Sequence, residues 1–128
     1  FRALGRPTRV IAIDVGRLWK NLAASIVGLA NRTLRLLDLP APLTLSDLGF
    51  YANFVGTGYG EPTRAGLDAL RQAARTEGLM LEPVYTAKAL AGLVALCRAG
   101  HFQPSHNIVF LHTGGAPALY AYRDFLQS

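Results

Sequence analysis

The chain has 128 residues, 51% of them hydrophobic and 16% charged, a net charge of +5 and one cysteine. That length and apolar content suit one folded domain with its own core, and they exclude a disordered chain or a disulfide-stapled scaffold. The longest apolar runs, 25–30 and 89–97, fall short of the roughly 20 residues needed to span a bilayer, and the arginines are scattered without interleaved aromatic residues, which argues against a nucleic-acid interface.

The segment Phe1–Val15 lacks the cleavage pattern of a signal peptide, and Cys97 lies within an apolar helical run as a core residue. A reducing, cytoplasmic location is expected. FRALG reads as the tail of a helix ending at Gly5, as if the chain were cut from something longer. TRVIAIDV, 8–15, is a β-branched apolar run of the kind buried on both faces of a parallel sheet. From Arg17 to Leu37, the residues Leu18, Leu22, Ile26, Leu29, Thr33 and Leu36 form one predicted apolar stripe on a long helix. LDLPAPLTLSDLG is a predicted connecting loop, with a short strand expected near 50–55.

GTGYGEPT follows, and a surface helix is predicted over Pro62–Glu77, its polar stripe of Arg64, Asp68, Arg71 and Arg75 lying opposite Leu67, Leu70 and Ala74. The run Tyr85–Ala99 is almost wholly apolar and predicts a buried helix. NIVFLH, 107–112, predicts another buried strand that runs into TGGAPALYAY, a tight turn and short helix. The order β-α-loop-α-α-β-α defines an α/β chain, an open parallel sheet flanked by helices, whose ligand crevice is expected at the carboxyl ends of the strands.

Three stretches carry chemistry. TGGAP brings Thr113 and Gly114 to the end of a strand, where backbone amides suit an anion at a helix start, although it lacks the spacing of a phosphate-loop motif and by pattern alone a plain tight turn is the favoured reading of the glycines. GTGYGEP places the phenol of Tyr59 on a glycine-rich loop. EPVYT places Tyr85 and Thr86 at the start of the apolar helix, where Thr86 also serves as a cap. At loop ends on one side of the sheet, two phenols and two hydroxyls would converge in an apolar crevice, suited to moving protons and hydrogen-bonding a heteroaromatic ring. His101, His106 and His112 have no metal-ligand spacing, so no metal is expected.

GTGYGEPT, ARTEGLMLEPVYTAKALAGL and FLHTGGAPALYAY, in this order and spacing, resemble the D-cysteine desulfhydrase and 1-aminocyclopropane-1-carboxylate deaminase family. The likeness covers nearly the whole chain. It implies a pyridoxal 5'-phosphate cofactor and the tryptophan synthase beta-like fold type, with residues 1–128 a C-terminal portion of a homodimeric enzyme. It also implies that Tyr59 and Tyr85 serve proton transfer and substrate orientation, and that Thr113, Thr86 and Gly114 lie at the cofactor, Thr113 nearest the ring nitrogen.

In that family the residue after PVY and the one between His and Gly-Gly divide deaminases (PVYEGK, HLGG) from desulfhydrases (hydroxyl residues at both), and here they are Thr86 and Thr113. A threonine does not hold the ring nitrogen protonated as a carboxylate does, which suits loss of a thiol better than opening of a cyclopropane. The implied reaction is α,β-elimination of D-cysteine to pyruvate, sulfide and ammonia. Deaminase activity on the cyclopropane amino acid and a non-catalytic α/β binding module are the alternatives. Lys88 matches the structural lysine of PVYxGK with Ala87 in place of the family glycine, and Lys20 has no counterpart. The Schiff-base lysine and the phosphate cradle are expected upstream of Phe1, which makes this chain inactive by itself.

Overall fold

The computed structural model describes residues 1–39 and 42–127, the side chain of Gln127 excepted, so Pro40 and Ala41 of the expected connecting loop lie outside the described residues. In chain order the elements are β1 (Val10–Ile13), α1 (Leu22–Leu36), β2 (Leu48–Tyr51), α2 (Arg64–Glu77), α3 (Thr86–Arg98) and α4 (Arg123–Gln127). Short 3-10 turns occupy Arg2–Leu4, Leu45–Asp47 and Ala116–Tyr122. β1 and β2 pair in a parallel two-stranded sheet, and α1 forms the crossover. Among the described residues no helix is long and apolar enough to cross a membrane.

The chain divides into two compact units. The first comprises Phe1–Ala12 and Leu18–Tyr51. Its helix starts at Leu22, five residues later than the predicted Arg17, because Arg17 and Asn21 adopt left-handed φ values of 51° and 57°. The packed stripe is also rotated from the one expected: Ile26, Val27, Ala30 and Leu34 are half-buried, whereas Leu29 and Leu36 face outward. Asn31 bonds the Leu43 backbone in both directions, Nδ2 donating to the carbonyl (2.9 Å) and Oδ1 accepting from N–H (2.7 Å). Asp47 accepts from the Thr44 backbone and hydroxyl and pairs with Arg2, and these bonds hold its carboxyl below the usual range.

The second unit, Ile13–Arg17 with Ala52–Ser128, holds the core. Leu70, Ala73, Leu81 and Ala87 are buried together, and Leu90, Phe110, Leu119 and Leu126 pack around them. α2 is amphipathic as predicted: Leu67, Ala69, Leu70 and Ala73 are buried and Arg64 and Arg71 flank Asp68 on the outer face. It begins at Arg64 instead of Pro62 because the Thr63 hydroxyl accepts from Gly66 N–H (3.0 Å) and so caps the first turn. α3 lies along α2. Gly92 lets Ile13 approach α3, since a Cβ there would lie 3.0 Å from Ile13 Cδ1.

Two expectations are corrected. Residues 107–112 do not form a strand: a strand exists through its ladder, and 107–111 make no backbone hydrogen bond among the described residues. Within this stretch Phe110 packs on the core, while Ile108, Val109, Leu111 and His112 are exposed, so the segment is not buried as expected. Cys97 is exposed and not a core residue, because it sits one step, about 100° of helix, beyond the buried Leu96.

Candidate functional site

The chemistry-bearing stretches of the second unit meet around the N-terminus of α3. Asp14, just past β1, turns the chain by accepting from Gly16 and Arg17 N–H at 3.0 and 2.9 Å. Lys88, on the first turn of α3, is fully buried. Its ammonium donates to the carbonyls of Val55 (2.7 Å), Gly58 (3.1 Å) and Val15 (3.4 Å). Burial lowers its pKa, and the carboxylates of Glu61 and Glu82 pull it partly back. One charge thereby ties the end of the β1 turn and the GTGYGEP loop to α3.

Glu82, absent from the sequence-based list, is the other buried anchor. Its carboxylate accepts from the N–H groups of Val84 (2.7 Å), Tyr85 (2.7 Å) and Thr86 (2.6 Å), three donors that a helix start leaves without intrahelical partners. Thr86 completes a reciprocal box, its hydroxyl accepting from Glu82 N–H (3.0 Å) and donating to Glu82 Oε1 (3.2 Å). The acid that opens EPVYT, four residues before the first residue of α3, was the available signal, but an acid before proline reads as a solvated loop residue.

The HTGG turn closes over this box. A Cβ on Gly115 would lie 2.3 Å from Glu82 Cγ, and Gly115 has φ of +101°, so only glycine fits. Gly114 N–H donates to His112 Nδ1 (3.0 Å), which leaves His112 Nε2 as the protonated nitrogen facing the Met80 carbonyl (3.2 Å). The turn is thus fixed to the segment leading into Glu82.

Tyr59 and Tyr85, both about half exposed, touch hydroxyl to hydroxyl, their rings edge-to-face with centroids 5.9 Å apart. The Tyr59 hydrogen bond pushes the Tyr85 phenol above its ordinary value of 10.0, with burial and the charges of Tyr59, Glu82 and Tyr122 adding to the effect. A phenol whose folded pKa exceeds its unfolded one contributes stability that is complete below pH 10 and lost as the pH climbs through the folded value. Tyr59→Phe is therefore expected to bring the Tyr85 titration back down toward 10, read as tyrosinate absorbance; an unmoved Tyr85 titration would contradict the contact.

The sequence-predicted residues thus take different positions. The phenols of Tyr59 and Tyr85 are brought together. Thr86 lies beneath them in the box, with its one hydroxyl proton directed at Glu82. Gly114 has its N–H on His112. Thr113 is exposed, and its hydroxyl has no partner among the described residues. Two accessible phenols and a free hydroxyl fit the ring and substrate side of a pyridine cofactor. Lys88 does not fit its aldehyde, because its ammonium is committed to three carbonyls.

A solved structure described as an ACC deaminase homologue superposes on 97% of this chain with a TM-score of 0.84 and 31% identity, using 36% of its own length. The class is therefore an α/β protein of the tryptophan synthase beta-like fold. The family model described as pyridoxal-phosphate dependent enzyme matches residues 1–114, and the chain belongs to that family. It is 36% identical over 128 residues to the 1-aminocyclopropane-1-carboxylate deaminase of Burkholderia ambifaria, and 36% over 128 residues to that of Burkholderia lata. Each match covers 100% of this chain and 38% of the relative. The deaminase of Burkholderia multivorans is 37% identical over 122 residues, 95% of this chain and 36% of that protein. The chain thus spans about 38% of the length of the curated relatives it matches.

Proposed function

We propose that this chain is the C-terminal part of a pyridoxal-phosphate-dependent lyase acting on small α-amino acids, with Tyr59 and Tyr85 as the pair that moves the substrate's protons. The observation that carries the reading is the contact of the two phenols at the start of α3. When bound, the cofactor would supply the electron sink for charge left at the substrate's α-carbon. The chain's own part is to hold a protonated phenol, Tyr85, against a second one, Tyr59, within reach of the substrate. The Thr113 hydroxyl would bond the cofactor's ring, while Thr86 braces the helix that carries Tyr85.

The relatives named as 1-aminocyclopropane-1-carboxylate deaminases favour that substrate, and deamination of the cyclopropane amino acid is the first reading. D-cysteine remains a second reading because Thr86 and Thr113 stand where the family's deaminases resemble Glu and Leu. A cytoplasmic homodimer and an upstream Schiff-base lysine belong to the same proposal.

The test is ammonia release from both substrates by the complete enzyme, with sulfide measured in parallel. Deaminase as the principal activity supports the first reading, and sulfide from D-cysteine supports the second. Thr113→Leu is expected to shift the ratio of the two activities towards the deaminase; an unchanged ratio would remove Thr113 from the specificity argument. The companion change Thr86→Glu is a poorer probe, because it sets a second carboxylate beside the buried Glu82.

A further inference from the structure

We infer that Lys88 is a positioning residue for the phenol pair. The inference rests on the reading of Tyr59 and Tyr85 as the proton-handling groups, and it explains how a glycine-rich loop holds one phenol against another. Tyr59 is bracketed. The carbonyl of the residue before it, Gly58, accepts from Lys88 Nζ at 3.1 Å, and that of the residue after it, Gly60, accepts from the Tyr122 hydroxyl at 2.7 Å. Lys88 adds a second hold on the same loop through the Val55 carbonyl at 2.7 Å.

Lys88 follows Tyr85 by three residues, so both belong to the same helical turn. The lysine therefore fastens the Tyr59 loop to the very helix that orients Tyr85. No ion pair within salt-bridge distance accompanies the buried ammonium among the described residues. A buried charge without such a partner is a poor stability device. An apolar side chain of similar length would fill the volume without desolvating a charge, but it has no donors for three carbonyls from two separate segments. The role that requires a lysine here is the geometry of those segments.

The test uses the complete enzyme loaded with cofactor and labelled with 13Cζ-tyrosine, with Tyr59→Phe and Tyr85→Phe assigning the two resonances. In Lys88→Met the Tyr85 resonance is expected to titrate close to the ordinary tyrosine value of about 10, as in Tyr59→Phe, with kcat reduced by about 10²-fold through misplacement of the phenol. Leu96→Ala, at the far end of α3, is the control for general destabilisation and should leave the titration in place. A folded Lys88→Met protein with an unmoved Tyr85 titration overturns the inference.

Should Lys88→Met fail to fold, the 15N resonance of the wild-type Lys88 ammonium decides. Slow hydrogen exchange supports three committed donors, and exchange as fast as that of an exposed lysine overturns them. Full activity in Tyr59→Phe would defeat the catalytic reading of the pair, whereas the titration would still decide the positioning role.

Discussion

Replacing Glu82 by alanine is expected to destabilise the protein by at least about 3 kcal/mol, the scale of several buried donors left without an acceptor. The carboxylate satisfies three backbone N–H groups at the start of α3 and accepts a hydrogen bond from the Thr86 hydroxyl. Without it, the buried amides of Val84 and Thr86 and the part-buried amide of Tyr85 lose their acceptor, and the Gly115 turn loses the group it packs on. Glu82→Asp retains the charge but is one methylene shorter, so a smaller loss is expected. Urea unfolding of the two variants checks both points. A loss for Glu82→Ala under about 1 kcal/mol, within the range of ordinary surface changes, would mean that water replaces the carboxylate and that the box is dispensable.

Tyr85→Phe in the complete enzyme is expected to lower kcat by about 10²–10⁴-fold, the usual contribution of a positioned acid or base, with little change in stability. The ring remains and only a half-exposed hydroxyl is removed, so folding has little to lose. The phenol is held above its ordinary pKa, chiefly by the hydrogen bond with Tyr59, so it keeps its proton throughout the neutral range, as the proposed donor role requires. An alkaline limb in the rate profile above pH 10 is expected in the wild type, and it should be absent from Tyr85→Phe. Wild-type kcat in the variant would assign proton transfer to another group.

Both predictions concern the start of α3, and the two residues differ in how far sequence revealed them. Tyr85 stood out because a phenol at the head of an apolar helix needs a reason to be there. Glu82 did not, because its importance lies in four hydrogen bonds whose donors come from residues 84 to 86, and a linear reading sees only an acid in front of a proline. Thr86 was legible as either a cap or a site residue; the box accounts for its hydroxyl as a cap, with the oxygen and proton both engaged by Glu82.

Periodicity served well on α2 and α3. The stripe on α2 and the limits of α3 follow from spacings of three and four closed by Thr63, Gly78 and the apolar run. It failed on α1, where left-handed residues at 17 and 21 delay the helix and turn a different face inward. It failed also at 107–112, where an apolar run has no hydrogen-bonded neighbour strand among the described residues and only Phe110 packs inward.

The sequence by itself determined the α/β class, the family and the phenols of Tyr59 and Tyr85, because side-chain period, helix ends and motif spacing are local properties of the chain. Only the tertiary structure decided that the two phenols touch, that Lys88 and Glu82 are buried anchors and that the Thr86 hydroxyl is engaged by Glu82 while that of Thr113 has no partner among the described residues. Those outcomes depend on which distant backbone groups are left without partners. A lysine finds carbonyls 30 and 73 residues away because they are brought to it when the unit packs, and no spacing along the chain records that meeting.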